Sequence, residues 1–566
     1  MISVSGKHWE ELNIEKRLID KISIDHNLTN IQAKLIISRN FSLEEIYSIK
    51  NSLDFKNPFL NNKDFVSACN LLKKNIDDNN EILLIGDYDV DGCVSTSLMF
   101  NFLKAEKVKV NYFIPDRFKD GYGASKDLLV KLLDKYKPQL IIFLDCGSNS
   151  HEAIKYIKNL KKNSIIIDHH NIQQPYPQTE VFINPQKKTG YYNINYLCTA
   201  FLTYFFLEIY KKRYKSKISI KKNLIYVLLA TVADVMPIRK INRLLAIKTI
   251  KNFKINEDII FTNISKILKF KKKLEIEELG YLIAPIFNSA GRLDNANQII
   301  ELLSSNDEKI IINILERIIN LNNKRKLIEN RTLEKLDLKK IYNQDGVIYV
   351  YDTNIQEGII GILASKIKEY FSKPCIVFTN SGNIIKGSAR STSNFNIGEY
   401  IDKAVQKKIL IKGGGHNLAA GVSLDKSRMK DFQNYLDKIY KKKKLSIINY
   451  YTSQISLSSI NKNFINQVNQ LSPFGNENIN PIFMIKNIRI TKPQIINNRF
   501  ISFYIKSSNK TIRAISFHNI NSKISYNILN SKNIIDVLVK VKENNWNNKK
   551  NIQLEIIDII QTTINT

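Results

Sequence analysis

Three aspartates stand at alternate positions in the stretch LLIGDYDVDGCVST: Asp87, Asp89 and Asp91. An apolar run stops just before them. Carboxylates this close repel one another, and a cation lying among them removes the penalty. Two further apolar runs end in acid. LIIFLDCG gives Asp145, and SIIIDHH gives Asp168 followed at once by His169 and His170. The chain holds only seven histidines, so an adjacent pair behind an aspartate stands out. A fourth acidic position, Asp234, follows the apolar run of LLATVADVMPI. Carboxylates and imidazoles without thiolates favour Mn²⁺ or Mg²⁺. Five or more acids with one or two histidines are too many for one ion. They suit two ions about 3.5–4 Å apart, bridged by shared carboxylates, which activate a water and clamp a phosphate during in-line displacement. Asp-x-Asp-x-Asp also occurs in calcium loops, but those need a Glu at position 12 and flanking helices, and here an apolar run precedes. A lone aspartate after a strand commonly caps a helix; the combination points to a metal centre.

These residues must be brought together by the elements that carry them. From about residue 80 to 240, short Ile-, Val- and Phe-rich runs (EILLIGD, VKVNYFIPD, QLIIFLD, NSIIIDHH) alternate with helical stretches such as VSTSLMFNFLKAEK. This alternation predicts a parallel α/β sheet, whose strands end on one crevice where ligands bind. Residues 1–75 read as short helices with polar connections. Residues 305–342 keep helical spacing with no Pro or Gly, which predicts one or two long connecting helices; a coiled coil is the rival, with short and irregular heptads. A second α/β unit follows over 343–445, with GVIYVYD and KPCIVFTN as strands and GIIGILASKIKEYF as a helix. From 446 to 566 short strands split by Asn, Ser and Lys turns predict a small β-barrel or sandwich.

At 566 residues two to four domains are expected, and 43% hydrophobic residues are enough for sizeable cores. The net charge of +32 suggests a polyanionic partner, although the general richness in Ile, Asn and Lys inflates lysine everywhere. Five scattered cysteines without a CxxC pair fit a reducing compartment and argue against a disulfide framework. MISVSGKHWEELN has no apolar core of a signal peptide, and no segment is apolar for 18 residues. A cytoplasmic protein without a membrane span is expected.

Arginines supply the matching cationic chemistry. Arg117 follows YFIPD, Arg292 lies in NSAGRLD, and Arg390 lies in KGSARST between Ser388 and Ser391. Each stands among Gly, Ser or Pro, where a backbone can approach a ligand, and a guanidinium fork suits phosphate oxygens. In IKGGGHNLAAGVSL, consecutive glycines including Gly414 and Gly415 could aim backbone N–H groups at a phosphate, with His416 as a further donor; a tight strand-to-helix turn is the alternative. Residues 451–566 carry 14 Lys and Arg against 5 Asp and Glu, a net of +9. Phe500, Phe503, Tyr504, Phe517 and Trp546 stand among these basic strands, as base-stacking groups or as barrel core.

In their order and spacing DYDVDG, DCG, DHH and ATVADVMP resemble the four motifs of the DHH phosphoesterase superfamily. NSAGRLDNA, KGSARST and GGGHNLAAGVSL resemble more specifically the RecJ single-strand-specific exonucleases with their DHHA1 domain, and LSPFGNENINPIF resembles the start of their OB-fold. The resemblance spans nearly the whole chain. It implies a parallel-sheet DHH catalytic domain over 76–304, a helical connector, a DHHA1 domain and an OB-fold that binds DNA. It implies Mn²⁺- or Mg²⁺-dependent 5′→3′ degradation of single-stranded DNA to mononucleotides, in recombination and repair. Partners would be single-stranded DNA and a single-strand-binding protein or a helicase, with the enzyme a monomer. Carried over by motif, it implies metal ligation by Asp89, Asp91, Asp145, His169 and Asp234. His170 would contact the scissile phosphate or assist ligation, with Asp87 and His416 also among the catalytic groups; Asp87 and Asp168 would orient ligands. Arg117, Arg292, Ser388, Arg390, Ser391, Gly414 and Gly415 would bind the DNA backbone and the 5′-phosphate. Three places depart from the family pattern: Ile355-Gln356 replaces a usual Trp-His pair, Glu477 replaces a usual glycine, and RAISFH lacks a Trp before Phe517. Two other functions share parts of the pattern. A DHH phosphoesterase on short oligonucleotides, cyclic dinucleotides or pyrophosphate would be smaller and lack the basic tail, and a non-catalytic DNA-binding scaffold would have lost acids that this chain keeps.

Overall fold

A computed structural model describes residues 1–560 except 52, 118, 121, 122, 189, 192, 193, 271, 272, 337–340, 342, 343, 444–447, 508, 531, 532, 547 and 548; the side chains of 545–550 also lie outside the description. The expected boundaries at 342–343 and 445–446, and the side chain of Trp546, therefore fall outside the described residues. The described part forms two compact units. One comprises Lys56–Met236 and Thr249–Leu445; the other comprises Met1–Phe55, Pro237–Lys248 and Ser446–Thr566.

The first unit holds the acidic strand ends. Its first sheet has β1 (Ile82–Ile85), β2 (Val110–Phe113), β3 (Leu140–Leu144), β4 (Asn163–Ile167) and β5 (Val181–Ile183), all parallel in the order β2-β1-β3-β4-β5. ILLI of β1 and LIIFL of β3 are buried at every position, as strands covered on both faces must be. The helices α1 (Val90–Ala105), α2 (Lys126–Tyr136) and α3 (His151–Asn159) supply the crossovers. Leu128, Leu129 and Leu132 of α2 and Ile154 and Ile157 of α3 pack on Leu83, Ile85, Ile141 and Phe143. The chain winds from β1 to β2 on one side and returns to β3 on the other. The order therefore reverses between β1 and β3, the point where an open α/β sheet binds ligands. Helix α4 (Thr199–Tyr214) is buried on nearly all sides through Phe201, Phe205, Phe206 and Leu207, and α5 (Leu224–Ala233) leads to Asp234. Helix α6 (Ala284–Leu293) carries the NSAGRL segment.

The described part of the connector is dominated by a long helix, α7 (Glu308–Lys335), capped by the Asp307 carboxylate, which accepts from Lys309 N at 2.8 Å. The second sheet has β6 (Ile348–Tyr351), β7 (Cys375–Ser381), β8 (Ile384–Arg390), β9 (Lys412–His416) and β10 (Ala419–Leu424) in the order β9-β10-β8-β7-β6; only β6 and β7 are parallel. Helix α8 (Ile360–Phe371) follows β6, and α9 (Ile397–Gln406) precedes β9. The glycine-rich stretch is not a strand-to-helix turn. Lys412–His416 is an edge strand of an antiparallel hairpin, with Gly414 opposite Gly421 and Gly415 opposite Ala420. A side chain at Gly415 would meet Ala419 O at 2.3 Å, so hairpin closure requires the glycine there. Ile355 is buried in the core against α8, while Gln356 is exposed.

In the other unit, β11 (Phe483–Ile496), β12 (Phe500–Ser507), β13 (Lys510–Ser516), β14 (Ile535–Trp546) and β15 (Lys549–Ile560) form a five-stranded barrel, closed by the pairing of β14 with β11. Phe503 lies inside it with Phe483, Ile501 and Ile505, whereas Tyr504 and Phe517 are exposed. NSKISYNILN supplies the helix Lys523–Asn530, which lies between barrel strands. Residues 1–55 share a core with the tail rather than standing alone. Leu28, Leu35, Ile36, Phe41 and Ile46 pack on Leu471, and Trp9 Nε1 donates to the buried Asp558 Oδ2 at 3.0 Å. Among the described residues no helix is long and apolar enough to cross a membrane.

Candidate metal centre

The acids are positioned one by one by the ends of their elements. Asp89 caps α1, its Oδ1 accepting from Gly92 N at 3.0 Å. A side chain at Gly92 would lie 2.5 Å from Asp87 O, so glycine lets the DYDVDG turn fold tightly onto α1. Asp91, in the first turn of α1, accepts from the first amides of α4: Thr199 N at 2.7 Å and Ala200 N at 2.8 Å. Asp145 follows β3 in the left-handed region at φ 64°, and Thr199 Oγ1 donates to its Oδ1 at 2.9 Å. Asp234 ends α5, and the next residue, Val235, is held at φ 56°. That conformation is uncommon for a β-branched side chain and marks local strain beside the cluster.

His169 stands at the centre. Its Nε2 lies 3.4 Å from Asp145 Oδ1, 3.4 Å from Asp234 Oδ2 and 3.8 Å from Asp91 Oδ2. Three sets of ligand atoms each fall within 4.8 Å of one another: Asp91–His169–Asp234, Asp145–His169–His170 and Asp87–Asp89–Asp145. Asp145 and His169 each belong to two of these sets. Asp87 Oδ1, Asp145 Oδ2, His169 Nε2 and Asp234 Oδ2 are buried without a hydrogen-bond partner. An unmade buried hydrogen bond costs about 1–3 kcal/mol, so four in one cluster call for a shared partner. These oxygen and imidazole donors fit a hard divalent cation. Burial first, and then repulsion from neighbouring aspartates, pushes Asp87, Asp145 and Asp234 well above the usual carboxylate range and Asp91 to about 6.

The two adjacent histidines are opposites. Burial, then the nearby His170, brings His169 down to about 3, leaving a neutral ring with a lone pair for a metal. Burial also disfavours the charged form of His170, but Asp168 outweighs it and raises His170 to about 10. Asp168 Oδ1 accepts from His170 Nδ1 at 2.8 Å, His169 N at 2.7 Å and His170 N at 3.1 Å, and Oδ2 accepts from Ser148 N at 3.1 Å. Burial works against this carboxylate, yet His170 and these donors hold it well below the usual range. Asp168 thus orients the DHH turn and keeps His170 cationic.

A cationic surface adjoins the acids. The Arg117 guanidinium lies 5.3 Å from the Tyr88 ring centroid. Arg292, in the last turn of α6, donates to Gly358 O at 3.2 Å. Close approach of α6 to the DYDVDG turn requires Gly291, where a Cβ would lie 2.3 Å from Tyr88 O. Arg390 ends β8 and donates through Nη1 to Ser388 Oγ at 3.1 Å and Ala389 O at 2.8 Å. Burial first, then the charges of Arg117, Arg325 and Arg390, brings Arg292 down to about 10; burial and Arg117 likewise lower Arg390. Among the described residues no carboxylate forms an ion pair with Arg117, Arg292 or Arg390, which leaves an anion site. Ser391 turns away from it, buried with its hydroxyl donating to Phe395 O at 2.6 Å. His416, at the end of β9, faces His170 with ring centroids 6.3 Å apart and planes 14° apart. Thr199 and Ser148 donate to Asp145 and Asp168, and Asn171 reaches His416, but nothing in their local sequence marks them.

Residues 81–232 match the DHH family N-terminal domain, 344–442 the DHHA1 domain and 451–558 the RecJ OB domain. In this order the three domains are similar to those of the RecJ group of the DHH family. The single-stranded-DNA-specific exonuclease RecJ of Bacillus subtilis is 26% identical, over 98% of this chain and 71% of that protein. RecJ of Escherichia coli is 28% identical, over 75% of this chain and 77% of its own length. A crystal structure of RecJ from Thermus thermophilus in complex with Mn²⁺ superposes with a TM-score of 0.81 at 20% identity, over 98% of this chain and 79% of that one. This last likeness establishes a shared fold.

Proposed function

We propose that the protein is a metal-dependent 5′→3′ exonuclease that degrades single-stranded DNA to 5′-mononucleotides in recombination and repair. The observation that carries the proposal is the meeting of four unpartnered buried ligand atoms with three arginines that, among the described residues, no carboxylate neutralises. The relatives named as single-stranded-DNA-specific exonucleases supply the substrate class, and RecJ crystals in complex with Mn²⁺ and with Mg²⁺ supply the cofactor class. Asp89, Asp91, Asp145, His169 and Asp234 would hold two ions, with Asp87 beside them and Asp145 as the bridge. Ions held there would activate the attacking water and neutralise the phosphate. The imidazolium of His170, fixed by Asp168, would hold a non-bridging oxygen of the scissile phosphate, and His416 would donate from the second sheet. Arg117, Arg292 and Arg390 with Ser388 would hold the backbone and the 5′-phosphate.

The barrel discriminates this function from hydrolysis of cyclic dinucleotides or short oligonucleotides, because a small substrate needs no second unit with a net basic surface. Five buried, unpaired cysteines support a cytoplasmic location. A monomer working beside a helicase or a single-strand-binding protein accords with the function. Asp145→Ala should lower turnover by several orders of magnitude while the far-ultraviolet circular dichroism spectrum stays unchanged. Near-native turnover by that variant would refute a bridging carboxylate.

A further inference from the structure

Asn171 stands one residue past His170, on the chain leaving β4, and its amide reaches His416 at the end of β9, 245 positions away. The Asn171 Nδ2 lies 2.9 Å from His416 Nδ1 and 3.5 Å from Gly415 O. The Gly415 carbonyl can only accept. A reversed amide would set its own oxygen against that carbonyl, so the NH₂ group faces both partners. His416 Nδ1 is therefore the acceptor, and the proton of the neutral ring sits on Nε2. Both side chains are exposed, and among the described residues the His416 ring has no other hydrogen-bond partner to choose between the two tautomers. The backbone under the ring is fixed, because His416 pairs with Ala419 and a side chain at Gly398 would lie 2.7 Å from His416 O. The ring lies nearly parallel to that of His170, with centroids 6.3 Å apart.

We propose that Asn171 is a positioning residue: it locks His416 into the tautomer that presents Nε2–H, making this histidine a fixed hydrogen-bond donor for a substrate phosphate. The role rests on the nuclease function proposed above, in which His416 meets the phosphate from the second sheet. Asn171 does not enter the metal set; it acts through His416 alone. The amide also ties the DHH turn to the GGGH strand, so the donor is placed relative to the scissile bond by the same loop that carries His169 and His170.

The test joins spectroscopy to kinetics. In metal-loaded protein labelled with ¹⁵N-histidine, the His416 resonances, assigned by His416→Gln, should show an unprotonated Nδ1 and a protonated Nε2. Asn171→Ala should release that bias, and Asn171→Asp, equal in size but offering an acceptor, should move the proton to Nδ1. On a 5′-phosphorylated single strand Asn171→Ala should lower kcat/KM by about tenfold, the worth of one hydrogen bond, with the Mn²⁺ dependence unchanged. In a His416→Ala background it should cost nothing further. An unchanged His416 tautomer in Asn171→Ala, or an equal loss with and without His416, would overturn the proposal. The tautomer is read without turnover, so an inactive wild type would refute the nuclease function while the spectra still judge Asn171.

Discussion

At the scale of residues, the acids and the histidine pair were legible in the sequence because each closes an apolar run, and parallel strands deliver such ends to one crevice. What was not legible is the division of labour. His169 and His170 are neighbours in sequence, yet burial leaves one neutral while the contact with Asp168 chiefly makes the other cationic. The bond between Asn171 and His416 spans 245 positions and leaves no local mark. Charge in the cluster also makes a prediction about stability. Asp87, Asp91, Asp145 and Asp234 have raised pKa values in the metal-free fold, so above about pH 4 these four sites hold more protons folded than unfolded, which outweighs the one proton that His169 lacks. Stability of the metal-free protein should then fall as the pH rises through about 6, the Asp91 value, and beyond. A divalent ion removes that penalty, so the gap in Tm between Mn²⁺-loaded and EDTA-treated protein should widen between about pH 5 and about pH 8. An equal gap at both would place the ion elsewhere. Arg390 makes the second prediction. Arg390→Ala should cost about 1.5–3 kcal/mol in kcat/KM on a 5′-phosphate substrate and less on a 5′-hydroxyl one, as expected for a charged hydrogen bond to a terminal group. Equal losses on both would assign Arg390 to the internal backbone.

At the scale of elements, periodicity located the first sheet, the long helix α7 and most barrel strands, since burial on both faces or alternate faces writes itself into the sequence. The hairpin itself was not legible, because consecutive glycines signal close packing as readily as a turn: Gly413 lies under Ile401 and Gly415 under Ala419. The last barrel strand and the helix Lys523–Asn530 lie in Asn- and Lys-rich sequence whose polarity hides the period. One departure from the family pattern can be understood at this scale. Glu477 replaces a usual glycine and is exposed, yet its backbone stays in the left-handed region at φ 56°, inside a turn held by Asn478, whose Nδ2 donates to Leu471 O at 3.0 Å and Pro473 O at 2.8 Å. The left-handed conformation costs a side-chain-bearing residue about 1–2 kcal/mol, and glycine returns part of this as entropy of the unfolded chain. Glu477→Gly should therefore stabilise the barrel unit by about 0.5–1 kcal/mol in urea unfolding. A destabilised variant would mean that the Glu477 side chain supports the turn.

At the scale of the whole molecule, composition pointed to a polyanionic partner, but the joint core of residues 1–55 with the tail could not be read from texture. Neither segment shows from its own pattern that Leu471 completes the Leu35–Phe41 cluster or that Trp9 meets Asp558. Deleting everything after residue 445 would consequently strip the N-terminal helices of their core as well, so point substitutions on the barrel are the sounder probe of DNA binding. Tyr504 is exposed on β12 directly opposite Arg513 of β13, and Arg489 of β11 stands opposite Lys506 of β12. If this face follows a single strand, Arg513→Ala should reduce the slope of log affinity against log salt by about 0.7, one counterion's share on single strands, and Tyr504→Ala should weaken binding at every salt concentration. An unchanged slope in Arg513→Ala would move the strand off this face. The central claim, a metal-dependent exonuclease that enters single-stranded DNA from its 5′ end, is tested most directly by following one oligonucleotide labelled at either end, digested with Mn²⁺. The 5′ label should leave at once as a mononucleotide while the 3′-labelled strand shortens stepwise. Release of the 3′ label first, or no digestion of the strand by an enzyme that still cleaves a dinucleotide, would contradict it.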